Sequence, residues 1–224
     1  MKAIVISALG GIDVLQAVNV PVASPAANEV LVQVYAVSIN PVETKIRNGS
    51  WAGGKVAVSR SLSHMPATSS QCHQPGTISG FDFAGRISSL GSAVPPSAFS
   101  GGDEVYGLGS TVPTHSNAEY VTADWRVLAR KPARASWEDA AALPLVGLTA
   151  WEMLVEQLEV KRDQGALLVV NGSAPPFRRC LVLTFPTGAG GVGSVALQIA
   201  SKCLGLRTII ATASRPETYA SLVS

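Results

Sequence analysis

The sequence predicts a mixed fold, a β-rich domain followed by an α/β nucleotide-binding half. Three observations carry this. Short apolar runs punctuated by Gly, Pro and Ser fill the first half, and the texture turns helical near Arg130. A glycine cluster, Gly188-Ala189-Gly190-Gly191-Val192-Gly193, then lies between an apolar run and an apolar helical stretch. Residues 1–125 are read as the β domain and residues 126–224 as part of a nucleotide-binding domain.

The elements follow in order. Lys2–Ser7 and Glu29–Val37 read as strands, the second placing Val30, Val32, Val34 and Ala36 on one face. Phe83–Ser88, Asp103–Gly107 and Ala118–Thr122 are shorter strand candidates between turn residues, and such spacing suggests a compact β-barrel. Ser136-Trp-Glu-Asp139 has the form of a capping box before Ala140–Leu143. Pro144 is expected to break that helix, and Gly147–Leu158 to form another. Ala166–Val170 reads as a buried strand.

The glycine cluster fits the spacing G-x-G-x-x-G. Gly188 suits a tight turn, Gly190 lets the backbone approach a pyrophosphate, and Gly193 lets helix and strand pack closely. The free N–H groups at the helix start would face the phosphates. Val192, Val195, Ala196, Ile199, Ala200 and Cys203 form one apolar helix face. Gly205 is a plausible stop, and Arg207–Thr212 the next strand. Strand, turn, helix and strand together point to a dinucleotide. Beyond the second strand, where NAD sites carry Asp or Glu, this chain has Ser214 and Arg215. A hydroxyl and a guanidinium suit a 2′-phosphate, which favours NADP(H). The competing reading is a solvated arginine, with Glu217 as the acidic substitute.

Composition narrows the classes. The 224 residues are 47% hydrophobic and carry a net charge of +2, with 17 basic and 15 acidic side chains. No basic stripe with interleaved aromatics suggests nucleic acid. No apolar run approaches the ~20 residues that span a bilayer, so no membrane partner is expected. Met1–Leu9 reads as a first strand rather than a signal peptide. Three unclustered cysteines suit a reducing compartment, and a cytoplasmic location is expected.

Several stretches carry a family resemblance: Ala36-Val-Ser-Ile-Asn-Pro-Val-Glu-Thr-Lys-Ile-Arg-Asn-Gly49, Gly80-Phe-Asp-Phe-Ala-Gly85, Gly102-Asp-Glu-Val-Tyr106, Ser116–Val121 and Ala140–Glu152. The glycine motif and Ile210–Glu217 continue the series in the same order. The chain resembles the quinone oxidoreductase branch of the medium-chain dehydrogenase/reductase superfamily, within it the group called zinc-type alcohol dehydrogenase-like proteins. That implies a GroES-like β-barrel catalytic domain and a Rossmann cofactor domain. It implies an NADPH-dependent oxidoreductase acting on a quinone or an α,β-unsaturated carbonyl, with homodimers among full-length relatives.

The resemblance also places residues. Asn40 would stand near the nicotinamide as a hydrogen-bond donor; an amide holding the turn before Pro41 is the equal alternative. Thr149 looks like the family threonine beside the nicotinamide and ribose, against the alternative of a helix N-cap. Glu43 and Lys45 read as surface charge, and Tyr106 as a half-buried strand residue. Zinc is not expected. Asn40 stands where zinc enzymes carry a cysteine, Gly80-Phe81-Asp82 replaces Gly-His-Glu, and the third ligand position falls near Leu145. Cys72-His73 is an isolated pair.

Three departures from the family pattern bear on function. An atypical Ser-rich stretch spans about 55–72, and a second insert, 173–188, separates Ala166–Val170 from the glycine turn. The second contains another apolar run, Cys180–Phe185, so two segments compete to be the first parallel strand. Both inserts read as translated introns or faulty exon joins. From Ala166 to Ser224 there is room for about two βα units, against six strands in a full Rossmann sheet. A C-terminally truncated chain, binding NADPH weakly or not at all, is therefore expected, with a non-enzymatic remnant or a zinc alcohol dehydrogenase as the alternative readings.

Overall fold

Alternating apolar residues build the first half of the chain into two antiparallel sheets. The computed structural model describes residues 1–50, 76–109, 116–163, 166–171, 181–185 and 190–211. β1 (Lys2–Ile6) pairs with β2 (Leu15–Asn19) on one side and β4 (Thr77–Ile78) on the other. The larger sheet adds β3 (Glu29–Val37), β5 (Asp82–Leu90), β6 (Glu104–Leu108), β7 (Tyr120–Asp124) and β8 (Leu128–Arg130), in the order β7-β3-β5-β6-β8. An isolated bridge joins Ala3 to Ala118.

Val30, Val32, Phe83, Ile87, Val105, Val121 and Ala123 make the core of this half. Full burial of such side chains contributes about 1.5–3 kcal/mol each for the larger ones. The alternation predicted for β3 holds with one change. Leu31 is buried beside Val30 and Val32 because the register against β5 shifts between Leu31 and Val32. Such a shift lets consecutive residues turn inward.

α1 (Pro41–Arg47) follows β3 directly, with proline at its first turn. α2 (Trp137–Ala141) begins at the predicted cap: the Asp139 N–H donates to Ser136 Oγ at 3.0 Å. Pro144 does not simply end a helix. It opens α3 (Pro144–Trp151), because a proline costs nothing where no N–H donor is needed. A π-helical turn, Glu152–Gln157, continues it, so the expected single helix from Gly147 to Leu158 is replaced.

Two compact units divide between Leu145 and Val146. This lies past residue 125, where sequence texture placed the boundary. β8 pairs with β6, and Ala140 and Ala141 of α2 pack on Ala84 of β5, which keeps both elements with the first unit.

The second unit contains a parallel sheet of β9 (Ala166–Asn171), β10 (Leu181–Phe185) and β11 (Thr208–Ala211), in the order β10-β9-β11. The two competing segments are thus both strands. β9 is central and β10 lies on the side opposite β11. α4 (Gly191–Gln198) runs into a π-helical turn, Ile199–Cys203. Ala150, Leu154, Val160, Ala196, Ala200, Leu204 and Leu206 form the core here. Cys203, expected on the inner face, is exposed, and Leu204 is buried instead. The wider π turn shifts the 3.6-residue phase by about one position. Gly205 has φ +65°, the left-handed stop predicted for it.

Candidate functional site

Ser38, Asn40 and Leu145 meet around one buried carboxylate, Asp82, beside the positions that the family resemblance assigns to metal ligands. Gly80 adopts φ +102°, and a Cβ there would lie 2.3 Å from Ser116 Oγ, so only glycine makes this turn without displacing its neighbours. The turn delivers Asp82 to the start of β5, fully buried. Ser38 Oγ donates to Asp82 Oδ2 at 2.6 Å, Asn40 Nδ2 donates to the same oxygen at 2.8 Å, and the Leu145 N–H donates to Oδ1 at 2.8 Å. Burial pushes the Asp82 carboxyl above its ordinary range, against the lowering pull of these three donors.

Asn40 sits at the start of α1 and is 6% exposed. Its backbone N–H donates to Glu43 Oε1 at 3.1 Å, while the Glu43 N–H donates to the Asn40 carbonyl at 3.0 Å. Its amide nitrogen also lies 3.3 Å from Ser38 Oγ and 3.4 Å from Glu43 Oε1. Both amide hydrogens are therefore engaged inside the cluster, the arrangement of an amide that holds a turn. Glu43 is not plain surface charge. Desolvation raises its carboxyl, opposed by hydrogen bonds from Asn40 and Asn117 and reinforced by the nearby Asp82.

Zinc does not fit this donor set. Where the resemblance places the ligands stand an amide (Asn40), a phenyl ring (Phe81) and an aliphatic residue near Leu145, and both oxygens of the neighbouring Asp82 carboxylate already accept protein hydrogen bonds. Among the described residues no group of three or more His, Cys, Asp or Glu converges. Cys72 and His73 lie outside the described residues.

The fingerprint half is seen in part. Gly190 is the N-cap of α4 with extended backbone (φ −79°, ψ 168°), and no side chain caps the helix. The N–H groups of Gly191, Val192 and Gly193 thus head an eight-residue helix without a side-chain acceptor, a donor array suited to phosphate. A Cβ on Gly191 would lie 3.3 Å from Val146 Cγ1, a close approach that favours glycine. Gly188, Ala189, Ser214 and Arg215 lie outside the described residues. Thr149 is half-buried within α3 and is not at a helix start, so the N-cap alternative for it does not hold.

A cleft of about 830 Å³ opens in the first unit, lined by residues of β1, β2, β3 and α1 together with Asn117–Glu119. Glu43, Thr44 and Arg47 of α1 face it, as do Tyr35, Val37 and Ile39. Sequence reasoning passed over Glu43, Asp82 and Arg47 as site residues. For Glu43 a signal existed: Asn40-Pro-Val-Glu43 has capping-box spacing.

An antiparallel β unit with a polar cluster beside the zinc positions, next in sequence to a parallel sheet with a glycine-headed helix, is the organisation of the dehydrogenase/reductase class. The comparisons point to the same class. Residues 26–133 match the alcohol dehydrogenase GroES-like domain. A zinc-type alcohol dehydrogenase-like protein of Staphylococcus epidermidis is 34% identical over 205 residues, covering 89% of this chain and 49% of that protein. The NADPH-dependent alkenal/one oxidoreductase of Arabidopsis thaliana chloroplasts is 34% identical over 221 residues, covering 96% of this chain and 48% of the relative. Among solved structures, Escherichia coli quinone oxidoreductase complexed with NADPH superposes with a TM-score of 0.70 at 27% identity, over 100% of this chain and 56% of that one. The chain thus carries an alcohol dehydrogenase GroES-like domain and is similar along most of its length to quinone oxidoreductases and zinc-type alcohol dehydrogenase-like proteins of the medium-chain dehydrogenase/reductase superfamily. It spans about half the length of the curated relatives it matches. No helix among the described residues is long and apolar enough to cross a membrane.

Proposed function

We propose that the chain serves an NADPH-dependent oxidoreductase that reduces a quinone or an α,β-unsaturated carbonyl without zinc. The observation that carries this reading is the uncapped start of α4 at Gly190–Gly193, next to a parallel sheet, in a chain whose relatives include NADPH-dependent enzymes. When bound, NADPH would supply the hydride. The N–H groups of Gly191, Val192 and Gly193 would hold its pyrophosphate, and Ser214 with Arg215 its 2′-phosphate. By the family resemblance Thr149 would serve the nicotinamide and ribose, and Asp82 with its partners the substrate.

On the substrate side the protein's own contribution is positional. Asp82 fixes Ser38 and the Asn40 amide, and Asn40 in turn fixes Glu43 at the cleft wall. We assign Asn40 to holding this arrangement.

Gly190→Asp tests the cofactor reading without loosening the fold. The extended backbone at this cap suits aspartate, which stabilises helix starts, while its charge opposes a phosphate. Titration of the purified protein should show weak but saturable NADPH binding, tighter than NADH, that Gly190→Asp abolishes while thermal stability is kept. NADPH binding unaffected by this substitution, or none at all, would overturn the reading.

A further inference from the structure

We propose, on the reading of Gly190–Gly193 as a phosphate cradle, that Asp82 is a positioning residue for this turn and acts on it through the start of α3. α3 draws its cap from elsewhere in the chain. It opens at Pro144, which has no N–H, and Leu143 before it has no side-chain acceptor. The first donor of the helix is the Leu145 N–H, and Asp82 Oδ1 accepts it at 2.8 Å across 63 residues of sequence. A carboxylate at the positive end of a helix is a strong acceptor. Its other oxygen accepts from Ser38 Oγ and Asn40 Nδ2, so the carboxylate is held in one orientation and ties the start of α3 to the end of β3.

The next residue carries the effect onward. The division between the two units falls on the peptide bond that joins Leu145 to Val146. Val146 stands so close to Gly191 that a Cβ on the glycine would lie 3.3 Å from Val146 Cγ1. Gly191 is the first residue of α4, and the Ser194 N–H closes the first turn of that helix on the Gly190 carbonyl at 2.9 Å. Asp82, Leu145, Val146 and Gly191 thus form one contiguous line of hydrogen bond, peptide bond and packing contact, the kind of path along which positions couple. Close packing transmits a shift at one end to the other. Loss of the Asp82 carboxylate frees the Leu145 N–H, lets Val146 move, and loosens the turn that presents the N–H groups of Gly191, Val192 and Gly193.

Residue-resolved hydrogen exchange by NMR tests this on the intact chain without cofactor, at the Leu145 and Ser194 N–H groups. The slowest amides of each unit give the reference for global stability. In Asp82→Ala both N–H groups should lose about tenfold or more protection beyond that reference. Asp82→Asn keeps the volume, should show the same pattern to a smaller extent, and serves if the alanine variant does not fold. Val146→Ala should loosen Ser194 and spare Leu145. Ser38→Ala removes another partner of the same carboxylate and should spare both, which a general loosening around Asp82 would not do. A Ser194 N–H that keeps its protection when the Asp82 carboxylate is gone would overturn the proposal, as would equal loosening by Ser38→Ala. NADPH titration separates this from the cofactor reading. Binding by the wild type that Asp82→Asn weakens about fivefold or more would support both. Equal affinity of the two proteins would overturn the positioning role, whereas no binding by the wild type would sink the cofactor reading and leave the exchange result to decide the coupling.

Discussion

Asp82 shows what a single side chain can hold in place. A carboxylate with no exposure is costly, and it is tolerated here because three donors converge on it, two from the junction between β3 and α1 and one from the start of α3. Asp82→Ala strips an acceptor from the Ser38 hydroxyl, the Asn40 amide and the Leu145 N–H together. At about 1–3 kcal/mol for each buried donor left unmade, the expected loss is about 3 kcal/mol or more by urea denaturation. Asp82→Asn keeps the volume and one acceptor oxygen and should lose less. A loss below about 1 kcal/mol in the alanine variant would show that the donors find other partners. At this scale the sequence was legible in its departures. Asn40, Phe81 and Asp82 stand out against the zinc-ligand pattern, but no spacing rule says that residues 38, 40, 82 and 145 meet. That meeting depends on the β3–β5 register and on the Gly80 turn.

At the scale of elements, caps and stops were readable because their chemistry is local. Ser136 caps α2 and Gly205 ends the α4 helix as their residue types require. Gly205→Ala should cost about 1 kcal/mol in thermal or urea unfolding, from the left-handed φ of +65° alone. A Cβ there also lies 2.8 Å from Asp163 Oδ1, which adds to the cost unless that side chain rotates. An unchanged midpoint would mean that the helix end is frayed in solution. Elements defined by partners rather than by pattern were not readable. β2, β4 and β8 have two to five residues and are specified by pairing with β1 and β6. The π turns likewise carry no apolar period of their own, which is why Cys203 was misplaced and Leu204 overlooked.

Across the whole molecule, the two-part organisation followed from texture, since alternation and 3.6-residue periodicity build different layers. Its boundary did not, because β8 and α2 join the first unit through pairing and packing. The same separation of local from global effects governs how stability depends on pH. Asp103, Glu104 and Asp124 are held below their ordinary values chiefly by hydrogen bonds from Arg130, Arg86 and Arg126. Their contribution is present above the ordinary carboxylate range and lost as pH falls through the lowered values, but solvent screening keeps such surface pairs weak. Glu43 and Asp82 act in the opposite sense. Their carboxyls are raised from 4.5 and 3.8, so their contribution is full below those values and is lost as pH rises through the raised ones. Glu43→Gln removes one of these two titrations and keeps an amide oxygen for the Asn40 N–H. The melting temperature of this variant, minus that of the wild type, should therefore become more positive as pH is raised from about 4 to about 7. Arg86→Gln, which loosens the exposed Arg86–Glu104 pair, should show the reverse slope and a smaller one. A Glu43→Gln difference that stays flat across this range would mean that the Glu43 carboxyl titrates as it does in the unfolded chain, and that the hydrogen bonds from Asn40 and Asn117 cancel its burial.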